Sequence, residues 1–213
     1  MTSKSLYRFS GIILLIGVTC SVLTSIFLFF IDTSIDAPLS ELEKPLSYAI
    51  SILELTVYSL ILIGLPAFYL SQSGGRGGKT GFIGVLLSVI SLILHIAMSA
   101  YFISVMPILA KQAPDTIKDI FFSNFAFFAF GGSLLFLIGF ILLGIASIRA
   151  KVYPSYVGVL LIIFPVLGVT DFIMSSNIIN LLGSICLAIA FGVVGVNLAS
   201  GRKAVESDNP ISK

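Results

Sequence analysis

GIILLIGVTCSVLTSIFLFFI, residues 11–31, runs for 21 residues without a charge, and Lys4 and Arg8 lie just before it. About 20 apolar residues in a helix cross the roughly 30 Å of bilayer hydrocarbon. The run is too long for the apolar core of a signal peptide, and no small-x-small cleavage site follows it. It reads as a first transmembrane helix retained in the protein.

Working outward, the same pattern recurs along the 213 residues. Apolar spans are expected at 7–31, 47–71, 80–104, 119–148, 153–174 and 177–200. Short polar or Gly/Pro segments separate them. The fold class is therefore an all-α polytopic bundle: a single six-span domain over 1–200, with 201–213 as a disordered cytoplasmic tail. Composition agrees. Hydrophobic residues make up 57% and charged residues only 10%, where a soluble domain carries about 25% charged. The mean hydropathy is +1.12.

Orientation follows from the distribution of Lys and Arg, which favour cytoplasmic segments. With the N-terminus inside, the cytoplasmic segments hold nine basic residues: Lys4, Arg8, Arg76, Lys79, Arg149, Lys151, Arg202, Lys203 and Lys213. The outer segments hold three, Lys44, Lys111 and Lys118. Six spans return the C-terminus to the cytoplasm. In the outer segment between the first two spans, Ser40 and Glu43 have capping-box spacing, which suggests a short interfacial turn.

Several chemistries are excluded. A net charge of +2 without a basic stripe gives no footprint for nucleic acid. Ser73-Gly-Gly-Arg-Gly-Gly-Lys79-Thr80 approaches a P-loop, but Ser73 stands where the first glycine belongs. A P-loop also follows a strand, and this stretch joins two membrane spans, so nucleotide binding is rejected. Its Arg76 and Lys79 suit anionic lipid headgroups. One histidine, His95, is too few for bis-histidine haem, for a His-Glu-x-x-His zinc site or for a multi-histidine metal hydrolase. Cys20 and Cys186 form no Cys-x-x-Cys pair and read as small buried hydrophobes. No cofactor and no metal site is expected, and the chain points away from an enzyme.

Polar residues inside the spans are the remaining signal. From the outer face, Glu54 lies roughly 10 Å into the second span and His95 roughly 13 Å from the outer end of the third, at 1.5 Å per residue. Those spans run antiparallel, so the two residues are expected at one level. Asn124, Asp171 and Asn180 fall in the outer third of other spans, with Tyr58, Ser99 and Tyr101 within reach. An unpaired ionisable group within a span costs about 2.5–3.5 kcal/mol, so Glu54 should face the bundle or a watery cavity. A Glu–His pair holds or passes a proton near neutral pH; equally, such a pair can be a structural bond that sets helix register. A metal site from Glu54, His95 and Asp171 has no recognisable ligand spacing.

Pro66 and Pro165 interrupt two spans, and such breaks mark moving segments in transporters, although proline is common in membrane helices generally. Gly11 with Gly17, Gly132 with Gly139, Gly139 with Ala146, and Ala188 with Gly192 and Gly195 suggest close helix packing. Eight phenylalanines between Phe121 and Phe140 cover every side of the fourth span. They read as lipid-facing and core filling.

Gly64-Leu-Pro-Ala-Phe-Tyr69, Gly81-Phe-Ile-Gly84 and Leu143-Gly-Ile-Ala-Ser-Ile-Arg149-Ala with Tyr153-Pro154 carry a resemblance. In these short motifs the chain resembles uncharacterised six-helix integral membrane proteins of bacteria, of the domain-of-unknown-function type. The resemblance implies a bacterial plasma (inner) membrane and brings no activity and no site residues.

Two functions stay open. One is a structural or accessory subunit that binds lipid or a membrane partner, another membrane protein or a second copy of itself, which predicts small-residue faces left unused within the monomer. The other is a small-solute or proton-coupled transporter, which predicts a water-reachable outer cavity around Glu54 and His95. The sequence leans slightly to the first.

Overall fold

The computed structural model describes residues 3–31, 44–72, 78–113 and 124–201, and the side chains of Ser3, 124–128 and Phe172 are not described. The Ser40–Glu43 turn, the glycine-rich centre of the P-loop-like stretch and the tail after Gly201 lie outside these residues.

All regular structure among the described residues is helical. The helices are α1 (Ser3–Phe27), α2 (Pro45–Leu70), α3 (Gly78–Ser104), α4 (Met106–Gln112), α5 (Asn124–Ala150), α6 (Ser155–Met174) and α7 (Asn177–Ser200). A 3-10 turn, Leu28–Phe30, ends α1. Among the described residues five helical segments are long and apolar enough to cross a membrane; α6 is apolar too, over the shorter stretch Ser155–Asp171. The short α4 was not foreseen in the third connection. Pro107 has no N–H for the Ile103 carbonyl, so the helical path breaks at Val105 and resumes one residue later.

Each long helix packs against its neighbour in sequence, and α7 packs back on α1. The result is a closed ring in the order α1, α2, α3, α5, α6, α7. The chain reverses at each connection, so neighbours run antiparallel. One end of the ring, the basic end, holds Lys4, Arg8, Lys79, Arg149 and Lys151.

Faces sort by solvent in the manner of a membrane protein. On α1, Phe9, Ile12, Ile16, Leu23 and Ile26 point outward, whereas Ser10, Leu14, Val18, Ser21, Thr24 and Ser25 are buried. On α7, Ile178, Leu182, Ile185, Ile189 and Val196 are outside, with Ser184, Leu187, Phe191 and Val194 inside. In both helices the exposed positions recur at helical spacing, and they are the more apolar face. That is inverted from a water-soluble helix. It fits a hydrocarbon surround, where hydroxyls find partners only within the protein.

Association in lipid depends on close packing rather than on a hydrophobic drive. Two seams show how close. A methyl group on Gly144 of α5 would sit 2.5 Å from the Gly158 carbonyl oxygen of α6, and one on Gly158 would sit 2.5 Å from the Gly144 oxygen. At the α1–α7 seam, a methyl on Gly11 would meet the Gly195 oxygen and the Ala199 nitrogen, both at 2.6 Å.

The half of the ring nearer the basic end is solidly filled. Phe68, Phe140 and Phe191 are fully buried at its centre, with Leu14, Leu65, Val157, Leu161 and Val194 around them. Phe68 meets Phe191 edge-on at 5.6 Å and Tyr153 at 5.8 Å between ring centres. Tyr153, in the α5–α6 connection, hydrogen-bonds the Ser71 hydroxyl at 2.8 Å. Helix α2 and that connection are not ring neighbours, so this contact spans the ring and closes its basic end.

The glycine seams give a direct test. Gly144→Val should destabilise the protein by about 1–3 kcal/mol or more through overpacking against α6. Gly192→Ala, where an added methyl meets nothing within 4 Å, should be neutral or slightly stabilising. Reversible unfolding in mixed micelles measures both; equal effects would contradict the packing described.

Candidate functional site

Beyond this plug the ring opens into a cavity of about 420 Å³ in the half away from the basic end. All six long helices line it. Helix α1 contributes Ser21, Thr24 and Ser25, α2 contributes Glu54 and Tyr58, and α3 contributes His95. Ser133 and Phe136 come from α5, Phe164, Pro165 and Asp171 from α6, and Asn180 and Ser184 from α7. Ile61 and Leu187 lie where the cavity meets the plug.

One wall is a polar ladder. Ser21 Oγ donates to Ser184 Oγ at 3.4 Å, and the Ser184 and Ser25 hydroxyls are 2.5 Å apart. Ser25 Oγ donates to Asn180 Oδ1 at 2.6 Å, and Asn180 Nδ2 donates to Asp171 Oδ2 at 3.0 Å. With Ser184 donating to Ser25, every bond points toward the Asp171 carboxylate. The other oxygen, Oδ1, accepts from the Ser176 backbone N–H at 3.1 Å. Asp171 thus fixes the two-residue α6–α7 turn, in which Ser175 takes a left-handed φ of 46°. Asn177 adds a bond from Nδ2 to the Leu28 carbonyl at 3.0 Å, tying the end of α1 to the start of α7.

The facing wall is aromatic. Ring centres are 5.0 Å apart for Tyr58 and His95, 5.3 Å for His95 and Phe136, and 5.3 Å for Phe136 and Phe164. These spacings suit tilted and edge-to-face packing. The four rings carry the wall across α2, α3, α5 and α6. His95 Nδ1 lies 2.8 Å from the Ser91 carbonyl oxygen, so Nδ1 carries a proton and donates. In the neutral ring that leaves Nε2 as the acceptor. Ser91 Oγ in turn donates to the Gly132 carbonyl of α5 at 2.9 Å, locking α3 to α5 beneath the histidine.

Glu54 differs from Asp171. It lines the cavity, and among the described residues its carboxylate has no hydrogen-bond or ion-pair partner. Among the described residues no Lys or Arg lines the cavity. Glu54 and His95 therefore share one cavity without bonding each other; the histidine is committed to its own helix and the aromatic wall.

Of the residues singled out in the sequence, Glu54, His95, Asp171, Asn180 and Tyr58 line the cavity. Ser99 is buried but outside the lining, and Tyr101 packs on Phe102. Asn124 opens α5, and its side chain is outside the described residues. Pro165 faces the cavity, whereas Pro66 faces outward. The hydroxyls Ser21, Ser25 and Ser184 were missed. Their signal was the matching spacing of four in Ser21/Ser25 and Asn180/Ser184, which puts each pair on one helical face. Among the described residues no group of three or more His, Cys, Asp and Glu is placed to hold a metal ion. Cys20 and Cys186 are both free thiols.

Fold and site together define a class: an all-helical membrane-type bundle, apolar outside, with a polar and aromatic cavity in one half. No protein-family model, no curated protein and no solved structure matches the chain.

The two carboxylates should respond differently to neutral replacement. Asn180→Leu removes both of its ladder bonds and should cost about 1–2 kcal/mol, since interhelical hydrogen bonds in membranes contribute about 0.6 each and up to about 1.7. Asp171→Asn should also destabilise. Glu54→Gln, which removes no bond, should leave unfolding in SDS titrations nearly unchanged. A Glu54→Gln loss as large as that of Asn180→Leu would mean that Glu54 is a structural group.

Proposed function

We propose that this chain is a six-span protein of a bacterial plasma membrane, with both termini cytoplasmic, that carries a small solute through an outward-facing cavity. Glu54 is the coupling group, which takes up either a proton or the solute's charge. The observation that carries this reading is a carboxylate without a partner among the described residues, in a cavity to which every long helix contributes. Leaving such a group without a partner is costly in a low-dielectric interior, so it is a functional candidate by default.

Other features support it. Helix α6 has 20 residues, which at 1.5 Å each reach about 30 Å, enough for a sixth span. With the basic end inside, the aromatic plug lies on the cytoplasmic half and the cavity on the outer half. That is the arrangement of a carrier open to one side. Pro165 leaves the Leu161 carbonyl without its helical donor, beside the cavity, where a helix can bend.

The accessory-subunit reading draws less support. It expects small-residue faces available for a partner. Gly11, Gly84, Gly139, Gly144, Gly158 and Gly195 are instead packed tightly against other helices of the same chain, while Gly131 and Gly192 have open space around them.

Uptake into proteoliposomes from a mixed pool of small metabolites, driven by a pH gradient and read by mass spectrometry, tests the carrier. The wild-type chain should concentrate at least one solute above protein-free liposomes, and Glu54→Gln should abolish that. No accumulation by the wild type, or full accumulation by Glu54→Gln, would refute the reading.

A further inference from the structure

Resting on the carrier reading, the cavity's chemistry narrows the solute. We infer that the cavity binds a small organic cation, an ammonium group joined to an aromatic or apolar body, with the ammonium on Glu54 and the body against Tyr58, His95, Phe136 and Phe164.

Charge is the first argument. Among the described residues Glu54 and Asp171 both line the cavity, and no Lys or Arg does. Asp171 is occupied by the Asn180 amide and the Ser176 N–H. Glu54 has no partner among the described residues. An isolated carboxylate in such a site is neutralised by a proton or by a cationic guest. Among the described residues an anion would meet two carboxylates and no counter-charge, which discriminates against it.

Shape is the second. The continuous ring wall, with centres 5.0–5.3 Å apart, offers π faces and apolar surface but few hydrogen bonds. Ring faces attract cations, more so when water is excluded. The polar ladder on the opposite side has donated its hydroxyl protons along its own chain, so it offers oxygen lone pairs, which suit N–H donors on the guest. A volume of about 420 Å³ suits one small molecule. A metal ion is the weaker occupant, because no group of three or more ligating side chains is assembled among the described residues.

Proton and cation would compete for the same carboxylate, which is a direct route to exchange of one for the other. Among the described residues the titratable groups that line the cavity with Glu54 are Tyr58 on its own helix, His95 on α3 and Asp171 on α6; α1, α5 and α7 present none. Binding of the cation should therefore weaken as pH falls and Glu54 is protonated.

The test uses the full chain in nanodiscs with labelled 2-phenylethylammonium, displaced by unlabelled 2-phenylethylammonium, by 2-phenylethanol as the neutral analogue and by 3-phenylpropionate as the anion. At pH 7.5 the ammonium should bind at least about ten-fold more tightly than the alcohol, as a charge-assisted bond implies. The propionate should not compete. Glu54→Gln should remove the preference and its pH dependence while alcohol binding persists, which shows that the variant is folded. Equal binding of amine and alcohol by the wild type, preference for the anion, or no binding at all would each overturn the cation inference. Neither arm depends on transport. Uptake of a neutral solute without amine preference would leave the carrier standing and remove the cation. Tight amine binding without any uptake would do the reverse.

Discussion

Hydrocarbon offers no hydrogen-bond partner, so a hydroxyl, amide or carboxylate within a membrane helix must find one inside the protein or in trapped water. Most features of this fold answer that constraint. Helix α1 carries Ser21, Thr24 and Ser25 on one face, α7 carries Asn180 and Ser184 on one face, and the two helices meet there. Their meeting closes the ring. Without the α1–α7 seam the six helices would form an open sheet of cylinders, and the polar groups would line a groove facing lipid. Farther along the same seam, Gly11 and Gly195 let the two backbones approach closely.

Much of the architecture was legible in the sequence because the solvent dictates it. Apolar runs of spanning length translate directly into helices, and the structure begins and ends most of them within a few residues of expectation. Less legible was anything decided between helices. Nothing in the chain order announces that the last helix returns to the first. The α4 turn was hidden because Pro107 and its apolar neighbours read as an irregular connection. The ladder serines were overlooked for a related reason: a lone serine in an apolar run is unremarkable until its partner's position is known.

The candidate site was legible in part. Polarity alone singles out Glu54, His95, Asp171 and Asn180 in the sequence, since polar residues are rare in spans. Their division of labour was not readable. Asp171 is a structural carboxylate with both oxygens occupied and a turn to hold, whereas Glu54 has no such duty. His95, expected as a partner for Glu54, is oriented instead by the Ser91 carbonyl on its own helix. A spacing of four on one helix was enough to capture it.

Ring closure also has a cost in time. Ser25 and Asn180, which hydrogen-bond in the finished protein, are 155 positions apart in the chain. At synthesis rates of about 5–20 residues per second, α1 waits roughly 8–30 s for α7 to emerge. Through that interval the serines of α1 sit in a half-made bundle without their partners. They are held by the insertion machinery, by water or by their own helix, as Thr24 is held by the Cys20 carbonyl. The last helix to enter is thus the one that seals the assembly, and a chain stalled before it presents its polar lining to lipid, a marker that membrane quality control can read.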